Sequence, residues 1–155
     1  RGLVKMFSTH DLTRKYIAFV WGVPTWGGAE ITGNIARSSR NRQKMSMVKT
    51  GGKPAHTIVN VMDVWTRAGI SLFRCTLMTG RTHQIRVHME YLGYPLVGDP
   101  KYSPMKTPFS INGQALHSLT LAFDHPRTGE RMEFEAKLPE DLHKIVTRLR
   151  LGQFT

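Results

Sequence analysis

The alternation of apolar and polar residues predicts a protein built mainly from strands. Residues 16–21 form an apolar run rich in aromatic and β-branched side chains, which favours a buried strand. Residues 56–64 and 69–77 predict two further strands joined by a short turn. A fourth strand is expected over residues 115–123, returning through a turn to a fifth at 131–136.

Two segments have helical character. Apolar residues recur on one side of a helix over residues 82–92, and Gly93 is well placed to end it. Pro139 fits the first turn of a last helix through Leu151. Strands and helices together predict one α+β domain over residues 1–155, with a largely antiparallel sheet.

The charge balance indicates the kind of partner. The chain has 22 Lys and Arg against 11 Asp and Glu, a net charge of +11, which favours nucleic acid. A membrane-surface protein would concentrate its positive charge in an amphipathic helix or a polybasic tail. Here the charge is spread, and no apolar run approaches the ~20 residues of a membrane span. We therefore expect an RNA or DNA partner and no membrane.

Two local features refine this picture. The single cysteine, Cys75, cannot form an internal disulfide and is expected to be a buried thiol, compatible with a reducing, cytoplasmic setting. Residues 37–53, RSSRNRQKMSMVKTGGK, are strongly basic and predict a solvated loop or hairpin. The excess of one sign favours a segment that faces RNA.

The richest stretch is residues 79–102, TGRTHQIRVHMEYLGYPLVGDPKY, which we call the signature segment. Its first part combines two arginines, two histidines and a glutamine within a few residues. An ordinary half-buried helix or strand has no need for so many polar side chains, whereas a site that grips a polyanion and a planar base would use them all. They are Arg81, His83, Gln84, Arg86 and His88.

The signature segment resembles the core motif of the RluA-type RNA pseudouridine synthases. Other matches follow in the same order along the chain. Residues 14–22, RKYIAFVWG, resemble the family's K-x-Y-x-A-x-V-x-G strand, and residues 52–57, GKPAHT, resemble its G-K-x-A-x-T stretch. Residues 116–118, LHS, and 125–130, HPRTGE, resemble its L-H-A element and its H-P-x-T-G-E turn.

The resemblance implies an isomerase that converts uridine to pseudouridine within a structured RNA, without cofactor or metal. It implies the pseudouridine synthase fold, a mixed, mainly antiparallel sheet flanked by helices and loops around a basic cleft. The target nucleotide is flipped into the pocket. Ribosomal RNA is the commonest substrate class for such proteins and transfer RNA the next. We expect a cytoplasmic monomer.

The resemblance also assigns roles to individual residues. Arg86 would pair with a catalytic aspartate, Tyr16 would pack on the base, and Ile85 would line the same pocket. Without it, Tyr16 would more often be a core residue and Arg86 a surface arginine. Three neighbouring polar residues are expected to contact the substrate RNA or brace the site: Arg81, His83 and Gln84.

The family's catalytic aspartate lies in a segment of the form H-R-L-D-x-x-T-S-G, which this chain lacks. In the family that segment would fall before Arg1, so we expect the C-terminal portion of a catalytic domain that is inactive alone. Five aspartates are available as substitutes, but Asp99 is expected to be structural because the family has a Gly-Asp pair there too. They are Asp11, Asp63, Asp99, Asp124 and Asp141.

Two alternatives belong to other classes of protein. The first is a non-catalytic RNA-binding module that uses the same basic cleft. The second is a metal-dependent nuclease or hydrolase using His83, His88 and Asp99. The spacing of these three residues matches no recognised metal site, and no metal is expected.

Overall fold

A computed structural model describes residues 13–105, 109, 113–124, 131–135 and 140–152. Within them the chain forms seven strands and two helices. The strands are β1 Thr13–Trp21, β2 Gly28–Arg37, β3 Met45–Val48, β4 Lys53–Trp65, β5 Ile70–Leu77, β6 Leu116–Asp124 and β7 Arg131–Glu135. The helices are α1 Gln84–Leu92 and α2 Glu140–Arg150.

All seven strands belong to one sheet with the order β3-β2-β4-β5-β1-β6-β7. Each neighbouring pair of described strands is antiparallel, which confirms the α+β class and the mainly antiparallel sheet. β1 lies between β5 and β6, with Tyr16 opposite Cys75 and Arg14 opposite Leu77. Burial raises the pKa of the Cys75 thiol to about 12, as expected for a structural cysteine.

β1 is apolar from Ile17 to Val20 because both faces of the sheet are covered there. Ala18 and Val20 point into one core, which α1 closes with Ile85 and Met89. Phe19 points to the opposite side, where a second core includes three buried residues of α2: Leu142, Ile145 and Leu149. Alternation along an extended strand sends neighbouring side chains to opposite faces, so one apolar run supplies both cores.

Most sequence predictions hold, and one strand was missed. The basic residues 37–53 form a hairpin, since β3 pairs with β2. β2 itself was not predicted, because only Ile31 and Ile35 are buried apolar residues of that strand. Gly33 occupies the position between them, where a Cβ would lie 2.5 Å from Met47 Cε. Gly33 therefore interrupts the apolar alternation at a position that Met47 of β3 covers.

Both predicted helices are present. α1 starts at Gln84, after His83 in a left-handed conformation with φ 55°, and Gly93 ends it with φ 93°. α2 ends at Arg150, one residue before the predicted end. The turn at 125–130 and Pro139 lie outside the described residues. No helix in the described part of the chain is long and apolar enough to cross a membrane.

A buried polar network holds α1 against β4. His88 and Thr57 are fully buried, and His88 Nδ1 lies 2.7 Å from Thr57 Oγ1. The other ring nitrogen of His88 has no hydrogen-bond partner among the described residues. Burial, and next the charge of His56, lower the pKa of His88 from 6.5 to about 4, so the folded protein keeps this ring neutral.

We therefore expect the free energy of unfolding to decrease as the pH falls from 6.5 towards 4. In this window the unfolded chain binds a proton that the folded chain does not, which amounts to ~3 kcal/mol at most. Urea unfolding of His88→Gln should show a smaller slope with pH in this window. His143→Gln, on the exposed side of α2, should keep the wild-type slope, and equal slopes in all three proteins would contradict the assignment.

Candidate active site

The structure brings all six residues singled out by the resemblance to one cavity. The cavity has a volume of about 170 Å³ and lies where β1, the end of β5 and the start of α1 meet. Four further residues complete it. Its lining consists of Arg14, Tyr16, Leu77, Gly80, Arg81, His83, Gln84, Ile85, Arg86 and Leu116.

Chain topology explains this convergence. β5 ends at Leu77, directly opposite Arg14 of β1, and the chain then turns to enter α1 at Gln84. The first turn of α1 consequently lies beside the half of β1 that carries Tyr16. The pairing of β1 with β6 shifts register between Lys15 and Tyr16. The extra residue of this bulge lies on β6, between Ser118 and Thr120, and β-bulges are frequent next to active sites.

Arg86 forms a two-pronged ion pair with Asp99. Arg86 Nε donates to Oδ2 at 2.9 Å and Nη2 donates to Oδ1 at 2.8 Å. The Asp99 side chain is fully buried, and the Arg86 side chain is 11% exposed. Asp99 Oδ1 also accepts the backbone N–H groups of Lys101 and Tyr102, at 3.0 and 3.2 Å. Asp99 therefore anchors the loop after Gly98, the structural role expected for it.

The pKa shifts of both groups favour the charged pair. Burial by itself would raise the pKa of Asp99, but the hydrogen bonds from Arg86 and two backbone N–H groups outweigh it, so the pKa lies below 3.8. The hydrogen bond to Asp99 raises the pKa of Arg86 in turn. Arg86 uses only Nε and one Nη2 hydrogen for Asp99, so Nη1 and the other Nη2 hydrogen leave room for a second carboxylate.

His83 and Tyr102 form the other polar wall beside Arg86. His83 Nδ1 lies 2.9 Å from the Tyr102 hydroxyl, which accepts the backbone N–H of Met45 at 2.8 Å. Arg86 Cζ and Lys44 Nζ each lie 4.9 Å from the centre of the Tyr102 ring, a cation–π distance. Burial and then the charge of Arg86 lower the pKa of His83.

Gln84 is committed to protein partners. It is 2% exposed, and its Oε1 accepts the Thr79 hydroxyl at 2.8 Å and the Arg81 N–H at 2.9 Å. Its Nε2 donates to the His56 carbonyl at 3.0 Å and to Thr57 Oγ1 at 2.9 Å. These four bonds brace the segment before α1 against β4. A contact between Gln84 and substrate stays a prediction.

Arg81 is half-buried and has one fixed nitrogen. Its Nε donates to the carbonyl of Pro54 at 2.7 Å. Among the described residues its two Nη groups have no hydrogen-bond partner, and the side chain borders both this cavity and a neighbouring one. Arg81 is thus held at its stem with its donors available.

Sequence reasoning missed Arg14. Its guanidinium crosses Gly80, where a Cβ would lie only 2.1 Å from Arg14 Nη2. Gly80 leaves the space that the Arg14 guanidinium occupies beside the cavity. Arg14 and Tyr16 are two residues apart on a strand, so they face the same side, and this spacing is the signal that could have identified Arg14.

The three residues of the metal-dependent alternative do not converge. His83 contacts Tyr102, His88 contacts Thr57, and Asp99 binds Arg86. In the part of the chain that the structure describes, no three His, Cys, Asp or Glu side chains are grouped so as to hold a metal ion.

The comparisons with known proteins identify the class. The family model described as RNA pseudouridylate synthase matches residues 1–91, more than half of the chain. The chain belongs to this family, which confirms the family predicted from the signature segment.

The names of individual relatives agree with this family. A Bacillus subtilis protein called uncharacterized RNA pseudouridine synthase YlyB is 48% identical over 148 residues, covering 96% of this chain and 48% of that protein. Ribosomal large subunit pseudouridine synthase D of Zymomonas mobilis is 39% identical over 159 residues, covering 97% of this chain and 49% of that protein. The chain spans about half the length of the curated relatives it matches.

A solved structure shows the same fold. Human RNA pseudouridylate synthase domain containing 1 superposes with a TM-score of 0.73 at 26% identity. The match covers 99% of this chain and 72% of the human chain.

The Arg86–Asp99 pair predicts a specific pH dependence of stability. Asp99→Asn leaves a buried guanidinium without its counter-charge, so at pH 7 we expect a loss of about 3–5 kcal/mol in the free energy of unfolding. Because the folded pKa of Asp99 is lowered, the contribution of the ion pair is present above pH 3.8 and is lost as the pH falls below it. The difference between wild type and variant should therefore shrink in acid.

Urea unfolding at pH 7 and pH 3 measures this difference. Asp63→Asn is the matched control, since Asp63 is an exposed residue of β4 whose one hydrogen-bond donor among the described residues is the neighbouring N–H of Val64. It should change the unfolding free energy by less than about 0.5 kcal/mol. An Asp99→Asn effect as small as that of Asp63→Asn would refute the structural role.

Proposed function

We propose that this chain forms the uridine-binding part of the active site of an RNA pseudouridine synthase. The observation that carries the proposal is the cavity that joins Tyr16, Ile85 and Arg86 beside a cluster of basic side chains. Within the described residues no carboxylate lines this cavity, and Asp99 is fully engaged behind Arg86. The attacking aspartate would therefore come from another segment, and Asp11 lies outside the described residues.

The reaction breaks the N1–C1′ bond of uridine and forms a C5–C1′ bond with the same base. The hydrogen on C5 is lost and N1 gains a proton, so atoms balance without a cofactor. Arg86 binds Asp99 on one side, and its remaining N–H donors orient the attacking aspartate. Tyr16 packs on the uracil ring and takes part in the proton transfer, and Ile85 closes the pocket. The Tyr16 hydroxyl is suited to this step, because a hydroxyl held in position can transfer a proton.

The surroundings support an RNA substrate. A second cavity of about 330 Å³ borders the first and shares Gly80 and Arg81 with it. Lys53 and Met45 of the β2–β3–β4 region also line it. The hairpin loop of this region adds exposed positive charge at Arg40 and Arg42. Positive side chains along a groove are suited to bind a phosphate backbone.

Ribosomal RNA is the proposed substrate class, since several relatives are called ribosomal large subunit pseudouridine synthase D, and transfer RNA is the next. We also propose a cytoplasmic protein that acts as a monomer. The alternative function is a non-catalytic RNA-binding module, which the absence of a carboxylate in the described cavity lining favours.

An activity assay separates the enzyme from the binding module. We expect the 155-residue chain alone to bind RNA without forming pseudouridine. A longer protein that also carries the H-R-L-D segment should form pseudouridine. Arg86→Met in that protein should reduce turnover at least about a hundredfold, because it removes a preorganised charge partner. The measurement is release of tritium from RNA labelled at uridine C5.

Arg67→Met is the matched control, because Arg67 lies in the exposed β4–β5 turn at the opposite end of the strands. It should keep wild-type turnover. Product from the 155-residue chain alone would overturn the proposed division of the site. Full turnover by Arg86→Met would overturn the role of Arg86.

A salt titration tests the contact between Arg81 and RNA. Arg81→Ala should weaken RNA binding at all sequences and reduce the slope of log Kd against log salt by about 1, as for one lost phosphate contact. Arg67→Ala removes the same charge roughly 23 Å away along β5, at about 3.3 Å per residue, and should leave the slope unchanged. Equal effects of the two variants would indicate a general charge effect and contradict a specific contact.

A further inference from the structure

Tyr102 is the largest fully buried side chain in the described part of the protein. Its hydroxyl group nevertheless contacts His83, which lines the active-site cavity. Two polar groups lie within hydrogen-bond distance of that hydroxyl. The backbone N–H of Met45 donates to it at 2.8 Å, and His83 Nδ1 lies at 2.9 Å. Because a backbone N–H is always a donor, the hydroxyl hydrogen remains available for His83.

This arrangement defines the direction of the second hydrogen bond. If His83 Nδ1 carried a hydrogen, the Tyr102 hydroxyl would accept twice, and its own buried hydrogen would have no acceptor among the described residues. A buried donor without an acceptor is costly. The consistent assignment is donation from Tyr102 to Nδ1, which places the hydrogen of a neutral His83 ring on Nε2.

The charges around both groups agree with this assignment. Burial lowers the pKa of His83, and three positive groups on three different segments lower it further, with Asp99 acting in the opposite sense. These groups are Arg86 on α1, Lys101 in the loop and Arg37 on β2. Burial raises the pKa of Tyr102, so its hydroxyl keeps the hydrogen that it donates.

His83 is also held by its backbone. It precedes α1 with φ 55° and ψ 23°, a left-handed conformation that is uncommon for any residue other than glycine. The His83 ring stands edge-on to the Tyr102 ring, with centroids 5.6 Å apart and an interplanar angle of 86°. The ring lines the cavity beside Tyr16 and Arg86.

We propose that Tyr102 is a positioning residue that fixes His83 as a neutral Nε2–H donor towards an oxygen acceptor of the bound uridine nucleotide. The identity of the ligand rests on the proposed function, whereas the direction of the Tyr102–His83 hydrogen bond does not. The two parts can therefore fail separately.

Nitrogen NMR of the histidine rings tests the hydrogen bond in the protein without RNA. The resonances of His83 are assigned with His83→Gly, a residue that accepts the left-handed backbone. We expect the Nε2–H tautomer in the wild type. In Tyr102→Phe the neutral ring loses a donor, so the pKa of His83 should rise. A wild-type Nδ1–H tautomer would overturn the proposal, even if Tyr102→Phe does not fold.

A double-mutant cycle tests the function of this bond. Tyr102→Phe should weaken binding of uridine-containing RNA about tenfold in the wild-type background, as for one lost hydrogen bond. In the His83→Gly background it should weaken binding less than about twofold, because Tyr102 acts through His83. Tyr91→Phe, on the exposed side of α1, is the matched control and should have no effect in either background.

Equal losses from Tyr102→Phe in the two backgrounds would show a merely structural role and overturn the proposal. RNA carrying 4-thiouridine or a phosphorothioate at the target position distinguishes a base oxygen from a phosphate oxygen as the acceptor. The NMR result stands on its own if the protein forms no pseudouridine, so failure of the proposed function is recognised separately.

Discussion

The ion pair between Arg86 and Asp99 is the contact on which the site depends. Two buried, oppositely charged groups have to stay together, because either one alone in this environment is strongly unfavourable. Asp99 also accepts the N–H groups of Lys101 and Tyr102, so the same carboxylate shapes the loop after Gly98. The hydroxyl group of Tyr102 in turn contacts the His83 ring and accepts the backbone N–H of Met45 in β3. One buried negative charge thereby organises a helix, a loop and a hairpin around a positively charged cavity.

Two kinds of polar side chain surround the cavity. Gln84 uses its donors and acceptors for hydrogen bonds within the protein and fixes the start of α1. Arg86 and Arg81 use some of their N–H donors for hydrogen bonds within the protein and keep the other donors available. A preorganised site needs both kinds, since donors that face the substrate are useful only when their stems are immobile. The signature segment contains both kinds of side chain within a few residues, because the first turn of α1 faces β4 on one side and the cavity on the other.

The sequence predicts the central elements well, for physical reasons that also explain its failures. β1, β4, β5 and α1 bury regular apolar patterns, and the patterns are visible in one dimension. β2 was missed because Gly33 interrupts its apolar alternation, at a position that Met47 of β3 covers. The sequence did not predict that Asp99, thirteen residues further along the chain, binds part of the Arg86 guanidinium. Contacts of this kind depend on how a loop folds back, which no local pattern contains.

The Met45 N–H bond to Tyr102 gives the hairpin a further consequence. The hairpin contains β3, the strand at the edge of the sheet. However, its backbone shares one hydroxyl group with the His83 ring. A shift of β3 would move the Met45 N–H and so change the hydrogen bonding of the Tyr102 hydroxyl to the His83 ring. The Tyr102 hydroxyl oxygen therefore links the backbone of an edge hairpin to a side chain that lines the cavity, so a change in one of them reaches the other.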